Sequence, residues 1–357
     1  MELKPNFKTI YVQKSAIQYY GERVKAIVNR WPDAKVIEVE RHNDISELRD
    51  MDPAEWLTVK REILVLGIIK SLDNTPNGRS TDFIAPSGAN GCLSGCQYCY
   101  VARRKTNSVA GSNPLTLFLN TEGVIASIRK HSDGLGAKTP NQCDPSYWTY
   151  DIGCNNDVMG DVMVYDGALQ MVEAAKTMKN VKLSFATKNA NEISVNKFLN
   201  VKPEGHCRIR YSLMPESYRR VVDIRTSTIN ERLEAMNRLA DAGYEIHANF
   251  SPIIVTEGWL NEWVKLFDLM NFTLSSAVKR QLKCEIIMLT HSVDLHNINM
   301  NWNPRGEELL WRPDIMAPKR DKPDVLSYDY RLKGGFINDF ISTMKRMLPY
   351  CEVRYAF

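Results

Sequence analysis

Three cysteines, Cys92, Cys96 and Cys99, fall within eight residues in a Cys-x-x-x-Cys-x-x-Cys pattern. Thiolates so spaced can all turn inward onto one metal centre. The run before them, Pro86-Ser87-Gly88-Ala89-Asn90-Gly91, consists of small residues that let the backbone fold around such a centre. A structural zinc is normally closed by four protein ligands, and the local set offers three. An iron–sulfur cube held by three cysteines keeps one iron open for a substrate or cofactor, and Tyr98, just before the last cysteine, suits that reading. The competing reading is a zinc with a distant fourth ligand, which Cys143, Cys154, His131 or His206 could supply.

The elements that must position this loop are legible from the alternation of strand-like and helix-like runs. Residues 1–78 read as an N-terminal α/β extension, with strands near Thr9–Val12, Val36–Val39 and Ile63–Ile69 and a helix through Ala16–Arg30. The turn cluster Asn74-Thr75-Pro76-Asn77-Gly78 marks its end. Residues 79–296 alternate regularly, with strand candidates Asp82–Ala85, Trp148–Ile152, Val181–Ala186, Arg208–Leu213, Glu245–Ser251 and Cys284–Leu289. Between them lie helices such as Thr228–Ala242, where Ile229, Leu233, Met236 and Leu239 recur at helical spacing before Gly243. Such repetition implies an α/β fold with a parallel sheet and helices outside, and six units imply a partial (β/α)6 barrel of the TIM type. Residues 297–357 break the pattern, with four prolines before Gly335, then close with a helix, Phe336–Leu348, and a strand, Cys351–Ala356.

Composition is that of a soluble globular chain: 357 residues, 44% hydrophobic, 25% charged. A chain of this length buries roughly three quarters of its unfolded surface and needs no metal merely to fold. Its longest apolar run, Ile63 to Ile69, is seven residues; a membrane helix needs roughly 20, so no membrane partner is expected. Met1-Glu2-Leu3-Lys4-Pro5 carries no apolar core of a signal peptide, which points to a cytoplasmic protein, and we expect a monomer. Eight cysteines in such a chain argue for thiols, metal or catalysis rather than disulfides. The net charge of +4 permits a nucleic-acid partner without demanding one.

The cysteine spacing, placed after the first strand of a (β/α) body, resembles the signature of the radical S-adenosylmethionine superfamily. Further blocks resemble one branch of it, the spore photoproduct lyase family and a sister group of lyase-like proteins. They are Cys96-Gln97-Tyr98-Cys99-Tyr100, Tyr150-Asp151-Ile152-Gly153-Cys154-Asn155-Asn156-Asp157, Phe185-Ala186-Thr187-Lys188, Arg210-Tyr211-Ser212-Leu213 and Phe250-Ser251-Pro252-Ile253. The resemblance implies that Cys92, Cys96 and Cys99 hold a 4Fe–4S cluster and that S-adenosylmethionine is the second cofactor. It implies Cys154 as hydrogen donor, Tyr98 and Tyr100 as a tyrosine relay, and Lys188, Asn156 and Ser212 as cofactor-binding residues. The chemistry asks for the same types: a thiol gives up hydrogen easily, and a tyrosine beside it can restore it. Cys143, Cys207, Cys284 and Cys351 lack a metal spacing and read as core, and the pair His291 and His296 reads as structural.

The resemblance also implies UV-damaged DNA as partner, with flavodoxin or ferredoxin as electron donor. Lys319, Arg320, Lys322, Arg331 and Lys333, interleaved with Trp311, Tyr328, Tyr330 and Phe336, suit phosphate contacts and stacking at an extruded base pair. From this set Tyr328, Tyr330, Arg331 and Lys333 are the substrate-binding candidates. Arg103, Arg104, Lys105, Arg219 and Arg220 are further candidates for phosphate contact. The family carries an arginine–tyrosine pair in a glycine-rich turn, whereas this chain reads Asp329-Tyr330 before Gly334-Gly335. That change inverts a charge expected to face the lesion, so a spore photoproduct and a (6-4) or Dewar adduct all stay open. The implied activity is a DNA-repair lyase that reverses a UV-induced pyrimidine dimer photoproduct through a 5′-deoxyadenosyl radical. The rivals are a radical enzyme acting on RNA or a peptide, and a non-catalytic metal-containing nucleic-acid-binding protein.

Overall fold

Side chains on a strand alternate between two faces, and in this protein both faces are covered by different chemistry. On Cys207–Leu213 the odd residues Cys207, Ile209, Tyr211 and Leu213 enter the apolar core, while Arg208, Arg210 and Ser212 point the other way. On Glu245–Ile253 the apolar set is Ile246, Ala248 and Phe250, against Glu245, His247 and Asn249. The apolar faces pack beneath helices such as Gly167–Ala175, Glu192–Leu199 and Ile229–Asp241. The last of these opens with a capping box between Thr228 and Glu231.

The computed structural model describes residues 5–49, 51–52, 55–103 and 113–357. Six parallel strands lie side by side in chain order: Phe83–Ile84, Trp148–Asp151, Val181–Thr187, Cys207–Leu213, Glu245–Ile253 and Lys283–Met288. Glu352–Ala356 adds a seventh parallel strand at one edge, and Thr75–Pro76 an antiparallel one at the other. The sheet curls until its edges nearly meet. Arg354, on one edge, donates through Nη2 to the Ser80 carbonyl at 2.9 Å, just before the first barrel strand. The expected partial barrel is therefore present.

Charged groups fill the barrel interior where a closed barrel would carry apolar layers. Arg210 donates to Asp151 Oδ2 at 2.6 Å and Glu285 Oε2 at 3.1 Å, and Glu285 also binds Arg354 at 2.8 Å. Below them Lys182 and Arg208 share Asp144 and Glu245. His247 Nε2 lies 2.9 Å from Glu245 Oε1 but outside hydrogen-bonding alignment, so the ring nitrogens have no hydrogen-bond partner. Removing one partner of a buried ion pair leaves an uncompensated charge and costs about 3–5 kcal/mol. Glu285→Ala should lose about that much unfolding free energy in urea titration, because it takes a buried carboxylate from both Arg210 and Arg354. An unchanged midpoint would contradict this reading of the barrel floor.

The N-terminal sheet departs from the expected boundary at 78. Its order is Lys35–Val39, Thr9–Gln13, Ile63–Gly67, Leu115–Phe118, Ala89–Asn90. The last two strands come from beyond the boundary and flank the cysteine motif on both sides. The turn at Asn77-Gly78 exists, with Gly78 at φ 73°, but it closes a small hairpin rather than a domain. A helix at Trp56–Glu62 was not expected, and the long N-terminal helix runs Lys14–Val28.

After the last barrel strand come two helices, Val293–Trp302 and Pro304–Leu310, and a three-stranded antiparallel sheet of Thr290–Ser292, Val325–Tyr328 and Met316–Pro318. The final helix is Tyr330–Met347, six residues earlier than expected at its start. Asp329 accounts for this: its carboxylate accepts from the Arg331 amide and caps the helix. Gly334 and Gly335 thus lie inside a helix, not in a turn. No helix among the described residues is long and apolar enough to cross a membrane.

Candidate active site

A cavity of about 350 Å³ opens at the C-terminal ends of the barrel strands. The inner-face alternation supplies its wall: Ala186 and Lys188 from the third strand, Arg210 and Ser212 from the fourth, Asn249 and Ser251 from the fifth. The cysteine loop and the turn after the second strand supply the rest, including Cys92, Cys96, Cys99, Tyr98, Tyr100, Cys154 and Asn156. The structure therefore gathers in one cavity all nine residues singled out as cluster-binding, cofactor-binding or catalytic.

The cysteine loop is gripped from several sides. Gly95 N donates to the Ile224 carbonyl at 2.9 Å and Gln97 N to that of Val222 at 3.0 Å. Lys60, fully buried, donates to the Cys92 carbonyl at 2.9 Å and to that of Asn113 at 2.6 Å, tying the loop to the N-terminal unit. Gly91 has φ 81°, and a Cβ there would come within 2.2 Å of the Pro114 oxygen, so only glycine fits. Burial pushes the Cys92 thiol up to about 12, with Asp157 adding to it, and raises Cys96 likewise. A bound metal would reverse this by deprotonating them.

The donor set fits a cluster better than a single ion. Among the described residues no three His, Cys, Asp or Glu side chains converge on one ion position. Three of the distant zinc ligands considered are engaged elsewhere: Cys143 at the Arg79 carbonyl, His131 at the Tyr150 hydroxyl, His206 at the Val181 carbonyl. Two buried amide oxygens lining the cavity, Asn156 Oδ1 and Asn249 Oδ1, lack a partner. They are acceptors for the amino and hydroxyl donors that S-adenosylmethionine would bring.

Cys154 follows the second strand, where Asp151 Oδ1 accepts from the Gly153 amide at 2.8 Å while its other oxygen holds Arg210. The Tyr100 hydroxyl donates to the Cys154 carbonyl at 2.8 Å and lies 3.8 Å from its sulfur. Tyr98 is turned elsewhere: its hydroxyl donates to Asp223, and Lys188 sits 4.3 Å over its ring. Lys188 also pairs with Asp223 at 2.9 Å, and Arg232 with the other oxygen at 3.3 Å. Burial alone would push the Asp223 carboxyl up; Lys188 and Arg232 hold it below the usual carboxylate range. Ser212 accepts from Asn249 Nδ2 at 3.3 Å, and Asn156 donates to the buried Asp161. Asp223 and Asn249 had drawn no attention in the sequence, and Asp151 and Arg210 were noted only within the blocks that carry the resemblance.

The lesion-binding candidates separate. Tyr330 is 86% exposed at the start of the final helix. Arg331 is exposed and ion-pairs with Asp329 at 2.8 Å, and Lys333 is half-buried. Asp329 is held down to about 2 by Arg331 and caps the final helix. Tyr328 must be corrected: it is 1% exposed, its hydroxyl accepts from the Val255 amide at 2.8 Å, and its ring packs on Phe336. The strand alternation of Val325–Tyr328 turns it inward. Tyr328→Phe should cost about 1–2 kcal/mol of stability, from one buried amide left unpaired, without changing DNA affinity by fluorescence anisotropy. Arg219 and Arg220 both bind Glu216. Arg104 and Lys105 lie outside the described residues, as does the side chain of Arg103.

A curled parallel sheet with a three-cysteine loop over the C-terminal ends of its strands defines a radical S-adenosylmethionine barrel. The family model described as spore photoproduct lyase matches residues 4–307, so the chain belongs to the spore photoproduct lyase family. The spore photoproduct lyase of Bacillus subtilis is 23% identical over 280 residues, covering 78% of this chain and 77% of that protein. That of a Geobacillus species is 22% identical over 282 residues, with 78% and 77% covered. Among solved structures, spore photoproduct lyase complexed with dinucleoside spore photoproduct superposes with a TM-score of 0.85 at 20% identity, covering all of both chains. A variant with bound AdoMet and dinucleoside spore photoproduct gives 0.85 at 20% identity, covering 99% and 100%. The protein is an enzyme, a DNA-repair lyase of the radical S-adenosylmethionine class, whose cofactors are a 4Fe–4S cluster and S-adenosylmethionine.

Proposed function

We propose that this lyase reopens the bond joining two adjacent thymines in the spore photoproduct of UV-damaged DNA. The carrying observation is the Cys154 thiol in the same cavity as the three loop cysteines, with the Tyr100 hydroxyl 3.8 Å from its sulfur. A lyase that breaks the inter-base bond by hydrogen abstraction must hand a hydrogen back, and among the described residues no other thiol outside the cysteine loop lines the cavity. The pairing of Asp329 with Arg331 supports the spore photoproduct over the other adducts, since no inverted charge is left to face the lesion.

Cys92, Cys96 and Cys99 would hold the cluster, and Lys188, Asn156, Ser212 and Asn249 would line the cofactor. When bound, the pair supplies a 5′-deoxyadenosyl radical that removes one hydrogen from the substrate. The chain's part is orientation and hydrogen return. Cys154 gives its S–H hydrogen to the thymine carbon radical left by cleavage, the Tyr100 O–H restores the thiol, and the phenoxyl radical so left would recover its hydrogen from the methyl group of 5′-deoxyadenosine. Tyr98, its hydroxyl on Asp223 beside Lys188, holds that cation over the cavity rather than serving the relay. Tyr330, Arg331 and Lys333 would meet the DNA, and an acidic flavodoxin or ferredoxin would deliver the electron.

Three synthetic dinucleotide lesions test the assignment: spore photoproduct, (6-4) adduct and Dewar isomer. Conversion of the first alone to free thymines is expected. Conversion of another in its place would move the substrate, and conversion of none with abundant 5′-deoxyadenosine would favour RNA or a peptide.

A further inference from the structure

We propose that Glu307 is a positioning residue for the cysteine loop, acting through Asn299 on the backbone between Cys96 and Cys99. This rests on the reading that those cysteines hold the cluster. Glu307 is 4% exposed and lies at the centre of a closed polar knot. His291 Nε2 donates to it at 3.0 Å, His296 Nδ1 at 2.7 Å and Asn299 Nδ2 at 2.5 Å. The same Asn299 nitrogen donates to the Gln97 carbonyl at 3.0 Å.

Gln97, fully buried between Cys96 and Tyr98, is then held at every polar atom. Its Nε2 donates to the Asn303 carbonyl at 2.9 Å, and its Oε1 accepts from Asn303 Nδ2 at 3.0 Å. Its own amide donates to Val222. The approach is so close that a Cβ on Gly306 would fall 1.7 Å from Gln97 Oε1. A loop residue with three of its four anchors on one distant segment takes its position from that segment.

The segment also pairs with the strand that leads to the exposed tyrosine. His291 pairs in register with Leu326 on the strand that ends at Tyr328, two residues before Tyr330. Trp311 stacks on His296, ring centroids 4.1 Å apart at 15°. The cluster loop and the face proposed to meet DNA therefore share one scaffold. Hydrogen bonding and geometry around cysteine ligands set the potential of an iron–sulfur centre, so Glu307 acts on the redox step without touching substrate.

The test uses the full chain with Glu307→Gln, and with Asn303→Ala as a second variant. In metal-free protein, mass spectrometry follows alkylation of each thiol. Losing about 1.4 kcal/mol from hydrogen bonds to a charged acceptor opens the loop about tenfold more often, so Cys96 and Cys99 should label about tenfold faster. Cys207 and Cys284, deep in the core, serve as internal controls and should stay at the wild-type rate. In reconstituted, reduced protein the electron paramagnetic resonance g-values and the midpoint potential of the cluster should shift. Unchanged labelling and spectra, or equal acceleration of all four thiols, would overturn the proposal. Failure of the parent reading would show separately, as wild-type protein that takes up no iron.

Discussion

Cys154→Ala protein should cleave S-adenosylmethionine as fast as wild type and yet return few intact thymines. The reason is a division of labour within one cavity. The cysteine loop and Lys188 line the cavity, and Cys154 joins them from the turn after Tyr150-Asp151. Removing the thiol touches no loop anchor, since the turn is held by Asp151 through the Gly153 amide and by the Cys154 carbonyl through Tyr100. A positioned group that hands over a proton is worth about 10²–10⁴-fold, and a hydrogen-atom donor should lie at least at the lower end. Repaired thymine should therefore fall about a hundredfold or more, with altered or trapped lesion products in its place. In deuterated solvent the wild type should place one deuterium in the restored thymine through the exchangeable Cys154 thiol. Wild-type product yield from the alanine variant would remove Cys154 from the reaction.

Replacing Cys96 by alanine should abolish 5′-deoxyadenosine formation outright, and Cys92 and Cys99 should behave alike. An open iron exists only when three thiolates hold the other corners, so two cannot substitute. Stability should change far less. None of the three cysteines belongs to either apolar core, although Leu93 between them does, and the metal-free variant should unfold within about 1 kcal/mol of the metal-free parent, as for a small buried side chain swapped for a smaller one. Iron content and visible absorption after anaerobic reconstitution check the first half, and urea titration the second. Retained deoxyadenosine formation would mean the cluster is held elsewhere.

The cysteine spacing and the six barrel strands were legible because each is a local pattern, and the residues of the cavity rim were implied by the family resemblance. Thiol spacing needs eight residues, strand alternation six or seven, and the helix Ile229–Asp241 announces itself by Thr228, Glu231 and Gly243. What escaped was set by distance along the chain. Asp223 meets Tyr98 across 125 positions, and Gln97 meets Asn303 across 206. Neither residue type stands out where it lies. The sheet that spans residue 78 escaped for the same reason: Leu115–Phe118 completes a sheet begun by Thr9–Gln13, and only pairing reveals it. Tyr328 misled because an aromatic near basic residues resembles a stacking platform, while two-residue alternation had already turned it inward. Asp329 misled because a helix cap and a surface charge look alike until the helix start is known.

The central claim is that one cavity both generates a radical and spends it on a DNA lesion. It is tested most directly by incubating anaerobically reconstituted, reduced protein with S-adenosylmethionine and UV-irradiated DNA, and following 5′-deoxyadenosine and each photoproduct together by mass spectrometry. The spore photoproduct should disappear, thymines should appear in matching amount, and deoxyadenosine should form only in protein that retains Cys92, Cys96 and Cys99. Deoxyadenosine without loss of any photoproduct, or lesion loss in protein lacking those cysteines, would contradict it.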